Sequence, residues 1–151
     1  MSLGKGEVRW LIRLIGVTPR KVVESSSFNH RLKVQKATFL LNHLRVKPFT
    51  DYAFNFYLHG PYSSSLAKDY YDLENTNAKP VQLNARNMKI LKWFISKNET
   101  WLEIASSIIS IRDGHADATN EEIYSTLTLS KPWISGDMFK SVMTEFATQG
   151  L

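Results

Sequence analysis

The sequence predicts a mainly α protein: a single helical domain of α+β type over residues 1–151, with about six helices and one short two-stranded β element. Three observations carry this. Apolar residues recur at helical spacing along most of the chain. One stretch, Tyr52 to Leu58, changes to a period of two with aromatic side chains, the mark of a half-buried strand. The chain is 151 residues long, 43% hydrophobic and 22% charged, which suits one compact core and argues against disorder.

The elements follow in order. Val8, Leu11, Ile12 and Ile15 fall at i, i+3, i+4 and i+7, an amphipathic stripe. Gly16 and Pro19 end that helix near residue 17. Ser25-Ser26-Ser27 reads as a loop. A second helix covers Arg31 to Arg45, with Asn29 as its cap and Pro48 as its stop. Its core stripe is Val34, Ala37, Leu40, Leu41 and Leu44, with Lys33, Lys36 and Arg45 off the stripe. The aromatic strand needs a partner, and Val81-Gln82-Leu83 is the best one. Gly60-Pro61 breaks the strand, and Ser63 caps a helix that buries Leu66, Ala67, Tyr70 and Leu73. Met88, Leu91, Phe94 and Ile95 stripe the next helix. Trp101, Ala105, Ile108 and Ile109 stripe another, which Gly114 ends. A helix over Asn120 to Leu129 takes Thr119 or Asn120 as cap and breaks at Lys131-Pro132. A last helix starts at Ser135, turns Met138, Phe139, Val142 and Phe146 inward, and stops at Gly150.

Several function classes drop out. No apolar run reaches the roughly 18 residues of a membrane span. Arg9 and Arg13 interrupt the N-terminal apolar positions, unlike a signal peptide, so a cytoplasmic location is expected. The chain has no cysteine, which excludes disulfides, iron–sulfur clusters and thiolate zinc sites. There is no HExxH, no glycine-rich phosphate loop and no GxSxG elbow. Asp113-Gly114-His115-Ala116-Asp117 reads as a helix-terminating turn rather than a metal site. No metal, no cofactor and no catalytic residue is expected.

Charge is unevenly placed. Residues 1–50 carry ten basic and two acidic residues, a net of +8, whereas residues 51–151 carry nine and twelve, a net of −3. A basic half attracts phosphate or an acidic protein surface. Arg9, Arg13, Arg31, Lys33 and Lys36 are its candidate contacts for nucleic acid or an acidic partner. Five tyrosines crowd the centre, and Tyr57 and Tyr62 are expected to stay partly exposed. With His59 they form the candidate partner or ligand surface.

The run from Leu32 to Leu73 resembles the YwgA-like family of bacterial and archaeal proteins. More distantly, it resembles the Panacea (SocA-type) domain of antitoxins and proteolytic adaptors. Lys33-Val34-Gln35-Lys36 is similar to the KLQK start of a central helix in both groups. Phe54 to Ser63 is similar to the F-x-Y-Y-x-Y-G-P-Y-S segment of the YwgA type, and Leu66-Ala67-x-Asp69 to its L-A-x-D continuation. The ending from Lys131-Pro132 to Leu151 is similar to that family's last helix. The chain departs from the pattern at His59, where an aromatic residue is usual, and at Val34, where leucine is common. The YwgA-like family has no established activity to carry over. Panacea-type domains act by binding a toxin or a protease client, so the resemblance implies a non-enzymatic prokaryotic protein-interaction module, antitoxin- or adaptor-like. The alternative is a nucleic-acid-binding protein using the basic residues 1–50.

Overall fold

In the computed structural model, which describes residues 4–151, the chain runs α1 (Lys5–Ile15), α2 (Pro19–Val22), α3 (Phe28–His43), a 3-10 turn (Phe49–Asp51), β1 (Asn55–Tyr57), β2 (Gly60–Tyr62), α4 (Ser64–Tyr70), α5 (Ala85–Ile95), α6 (Glu99–Gly114), α7 (Asn120–Ser130) and α8 (Gly136–Gln149). The protein is therefore mainly helical with one short antiparallel two-stranded sheet. Among the described residues no helix is long and apolar enough to cross a membrane.

The two sixteen-residue helices, α3 and α6, pack against each other. Around them lie α1, α5, the 3-10 turn and β2 on the α3 side, and α7, α8 and β2 on the α6 side. A helix enclosed this way needs no polar face. Val34 to Leu41 and Leu102 to Ile109 are accordingly buried without a break. This corrects the expected stripe on α3: Lys36, read as lying off it, is only 2% exposed.

Local signals fix most boundaries. Gly16 closes α1 in the left-handed region at φ 95°. Pro19 opens α2 rather than merely ending α1, since its ring presets the first helical turn and the Thr18 side chain accepts from the Lys21 N–H. The α3 N-cap is Ser27, not Asn29, because the helix begins at Phe28. It ends at His43, short of Pro48, where Arg45 turns to φ 63°. Ser63, Asn84, Asn98, Thr119 and Ser135 each accept a backbone N–H at the start of α4 to α8. Thr119 and Glu122 complete a reciprocal capping box.

The strand pairing differs from expectation. β1 pairs with β2, with Asn55 opposite Tyr62, Phe56 opposite Pro61 and Tyr57 opposite Gly60. Val81 and Leu83 pack against the core instead. Gly60-Pro61 does not break the strand but forms its return. Neither Leu58 nor His59 has positive φ, and the left-handed conformation falls on Gly60 at φ 90°. A turn followed by a left-handed glycine is a common hairpin closure. Pro61 is tolerated because its carbonyl points away from β1, to a side chain of α3, and the amide it lacks leaves no ladder bond unmade.

Gly60 admits no side chain. A Cβ there would stand 2.7 Å from the Ser107 hydroxyl of α6. Gly60→Ala is therefore expected to destabilise the protein by at least about 2 kcal/mol, from backbone strain plus the clash. Urea denaturation of the variant checks this, and a change under about 0.5 kcal/mol, the range of an ordinary surface substitution, would contradict it.

Candidate functional site

A two-stranded hairpin cannot satisfy its own backbone. Here side chains of α3 and of the residue after α7 do so, braced by a carboxylate of α6. Gln35 of α3 acts like one residue of a third strand: the Ser63 N–H donates to its Oε1 at 2.8 Å, and its Nε2 donates to the Ser63 carbonyl at 2.9 Å. Lys36, the next residue, donates to the Pro61 carbonyl at 2.7 Å. Lys131, just past the end of α7, donates to the Leu58 carbonyl at 2.6 Å and to Glu103 Oε2 at 3.0 Å. The other oxygen of Glu103 takes the His59 Nδ1 at 2.9 Å. One buried carboxylate on α6 thus holds the turn through His59 and, by way of Lys131, through Leu58.

The two lysines differ in one respect. Lys131 is ion-paired with Glu103. Among the described residues Lys36 reaches no carboxylate within ion-pair distance, and its one hydrogen bond goes to a neutral carbonyl. Burial brings its ammonium down from 10.5 to about 7, with the Glu103 charge opposing that fall and the Lys131 charge adding to it. Burial also pushes the Tyr70 hydroxyl well above its ordinary value.

Above this polar frame lies a cleft of about 220 Å³ between α3, the hairpin and α4. Its floor holds Gln35, Lys36 and Tyr70, each 2% exposed. Its rim is aromatic and apolar: Leu58 is 82% exposed, Tyr57 53%, Tyr71 52%, Phe28 48% and Tyr62 36%. Tyr57 meets Tyr62 edge-on at 5.5 Å, and Phe28 meets His59 edge-on at 5.1 Å. Arg31 lies 5.8 Å over the Tyr71 ring, fixed by bonds from its Nη1 to the Val22 and Glu24 carbonyls. The cleft lining contains Arg31, Lys36 and His59 but no Asp or Glu. A wider groove of about 790 Å³ runs between α7 and α8, past Arg112, Tyr124 and Phe139. It has no comparable buried polar floor.

Tyr57, His59 and Tyr62, expected as a partner surface, thus come together on one cleft. The five basic candidates do not act alike. Arg13 is exposed on α1 and Lys33 is half-buried. Arg9 is turned to the Leu73 and Thr76 carbonyls in the segment after α4, and Arg31 and Lys36 are bonded to carbonyls as above. Asp113, from the turn at the end of α6, faces His43 at 3.0 Å. Among the described residues no group of three or more metal-ligating side chains assembles.

Sequence reasoning missed Gln35, Glu103 and Lys131. The available signal for one was Glu103, the lone charge in the apolar run from Leu102 to Ile111. A single carboxylate on a buried helix requires a cation brought to it by the fold. No protein-family model, no curated protein and no solved structure matches this chain.

Two outcomes follow for stability. Lys131→Met leaves Glu103 buried without its ion-pair partner and is expected to cost about 3–5 kcal/mol, most of it recovered when Glu103→Gln is added. Denaturant titration of the four-member cycle measures the coupling, and additive losses would refute it. For Lys36 the unfolded chain binds its proton up to pH 10.5 whereas the folded chain releases it near pH 7. In that window the unfolded state holds more protons, so stability rises with pH, by up to about 1.4 kcal/mol per unit from this group. Above about pH 10 the raised Tyr70 reverses the trend, because the folded state then keeps the extra proton. Lys36→Met is expected to flatten the rise between pH 7 and 10, and an unchanged slope would refute this origin.

Proposed function

We propose that the chain is a non-enzymatic protein-interaction module, as the antitoxin- and adaptor-like resemblance implies, and that it engages its partner through the cleft beside the hairpin. The observation that carries this is the aromatic rim. Five large aromatic or apolar side chains stand exposed together around one cleft with a buried polar floor. Scattered exposed apolar residues are ordinary, but a clustered patch marks an interaction surface. Aromatic anchors flanked by an arginine are also the usual composition of binding hot spots.

The occupant proposed is an extended segment of a partner protein, presenting an apolar side chain to the rim. The cleft is smaller than the roughly 300–1,000 Å³ of a cofactor-sized pocket, so it receives one side chain at a time. Its lining is cationic at Arg31 and Lys36, which favours a segment carrying negative charge. The nucleic-acid alternative has less support. Arg9 is turned to the Leu73 and Thr76 carbonyls, Lys33 is half-buried, and Lys36, 2% exposed, is out of reach of a phosphate backbone.

A photo-crosslinking residue at Leu58, on the rim, is expected to capture a discrete protein in cells of the native host. The same probe at Leu129, equally exposed at 86% but on α7, is expected not to. Tyr62→Ala should reduce the Leu58 product at least fivefold, and the same product should still form when a host extract is adjusted to about 0.3 M salt before irradiation, where phosphate contacts weaken steeply. Identical products from both positions would overturn the reading.

A further inference from the structure

We propose that the cleft is a carboxylate-recognition site for the C-terminal apolar residue of a partner chain, whose side chain enters the aromatic rim while its terminal carboxylate pairs with Lys36 and Arg31. The proposal rests on the interaction reading above and names the group recognised.

Two features of the structure carry it. The first is Lys36. It is 98% removed from solvent, lines the cleft floor and, among the described residues, has only the Pro61 carbonyl as a hydrogen-bond partner. A buried cation without an anion is costly, and here the missing partner has a place to sit. Its neighbour Lys131 shows how the same fold treats a buried lysine that needs nothing from outside: it supplies Glu103. The second is the arrangement by depth. The polar residues Gln35, Lys36 and Tyr70 lie at the bottom, with the Gln35 amide already bonded to Ser63 and Tyr70, and the apolar surface lies at the mouth. An entering group must therefore carry its charge at its tip and its apolar body behind it. A mid-chain apolar side chain carries no charge, and an aspartate or glutamate side chain carries its charge on only one or two methylenes. The last residue of a chain carries a carboxylate and a large apolar side chain on one Cα, so the first can go deeper while the second stays in the rim. Arg31 is already oriented by the Val22 and Glu24 carbonyls, so pairing with it costs little side-chain ordering.

Pairing favours the charged form of Lys36. Binding above neutral pH must then take up a proton and weaken as pH rises. The groups around Lys36 that share this electrostatics are Arg31 on its own helix, His59 and Tyr62 of the hairpin, Tyr70 of α4, Glu103 of α6 and Lys131 after α7.

The test uses the intact protein and two acid–amide pairs at pH 7: 3-phenylpropanoate with 3-phenylpropanamide, and a hexapeptide ending in free phenylalanine with the same peptide amidated. NMR titration is expected to show each acid binding at least tenfold more tightly than its amide, and the peptide acid at least as tightly as 3-phenylpropanoate. Calorimetry at pH 8 in phosphate and in Tris should give different enthalpies, reporting proton uptake without any variant. Lys36→Met should abolish the acid–amide difference. If that variant does not fold, Arg31→Gln should reduce the difference at least threefold. Acids and amides binding equally, or neither acid binding, overturns the proposal. Binding of 3-phenylpropanoate but not of the peptide acid overturns the chain-end assignment. A partner crosslinked at Leu58 without acid–amide discrimination would overturn this inference alone, and discrimination without any crosslinked partner would overturn the interaction reading alone.

Discussion

The structure depends on how a short hairpin is satisfied inside a helical protein. Three-residue strands leave carbonyls on the outer edge of β2 and at the turn with no strand to bond. The fold supplies long side chains in place of that strand. Gln35 matches the amide of a missing neighbour atom for atom, bonding both the N–H and the carbonyl of Ser63. Lys36 and Lys131 reach Pro61 and Leu58 from opposite sides. Lysine suits this work because its alkyl stem crosses apolar packing while its terminus carries three donors. The accompanying charge is the cost, and it is met unequally. Glu103 serves Lys131 and His59 directly and acts on Lys36 only at a distance.

The same frame makes the cleft. Because α3 supplies both Gln35 and Lys36 to the hairpin edge, the hairpin stands beside α3, with its turn reaching toward α6. That leaves Arg31 and Phe28, one and two turns earlier on α3, facing Tyr57 and Tyr62 across a gap. The gap is not filled from within, since α4 contributes Tyr70 to its floor and Tyr71 to its rim and then ends. Gly60 is the hinge of this arrangement. Its left-handed backbone turns β2 inward, and its missing side chain lets the turn sit against Ser107 of α6.

Local chemistry made much of this legible beforehand. Ser63, Thr119 and Ser135 are capping residues in front of apolar stripes, and Gly16 and Gly150 follow them, so those ends could be read directly. The tyrosines sorted as expected at Tyr52, Tyr70, Tyr57 and Tyr62, the first two buried and the second two exposed. What failed was tertiary. A proline after a strand signals a break unless the partner register puts it where no amide is needed, and register is invisible in one sequence. Lys36 read as a surface charge because a stripe assumes one solvent face, which an enclosed helix such as α3 does not have. The charge count of residues 1–50 could not know that Arg9, Arg31 and Lys36 would each be bonded to a carbonyl.

The unequal treatment of the two lysines bears on function because both sit in one network at similar burial. A fold selected only for stability would give each buried ammonium a carboxylate, or replace it with an apolar chain, which is often neutral or better. Pro61 could be served by a glutamine, as Ser63 is. A lysine at position 36 instead keeps a cation, or its neutral amine, at the bottom of the one cleft with an exposed aromatic rim. Departures from local consistency of this kind concentrate where a protein exchanges stability for binding. On the proposal made here, the free energy withheld from Lys36 by burial is returned when a carboxylate arrives, and the aromatic rim selects which carboxylate that is. Affinity and fold stability would then be set by the same atom, the Nζ of Lys36, and would respond to pH in opposite directions.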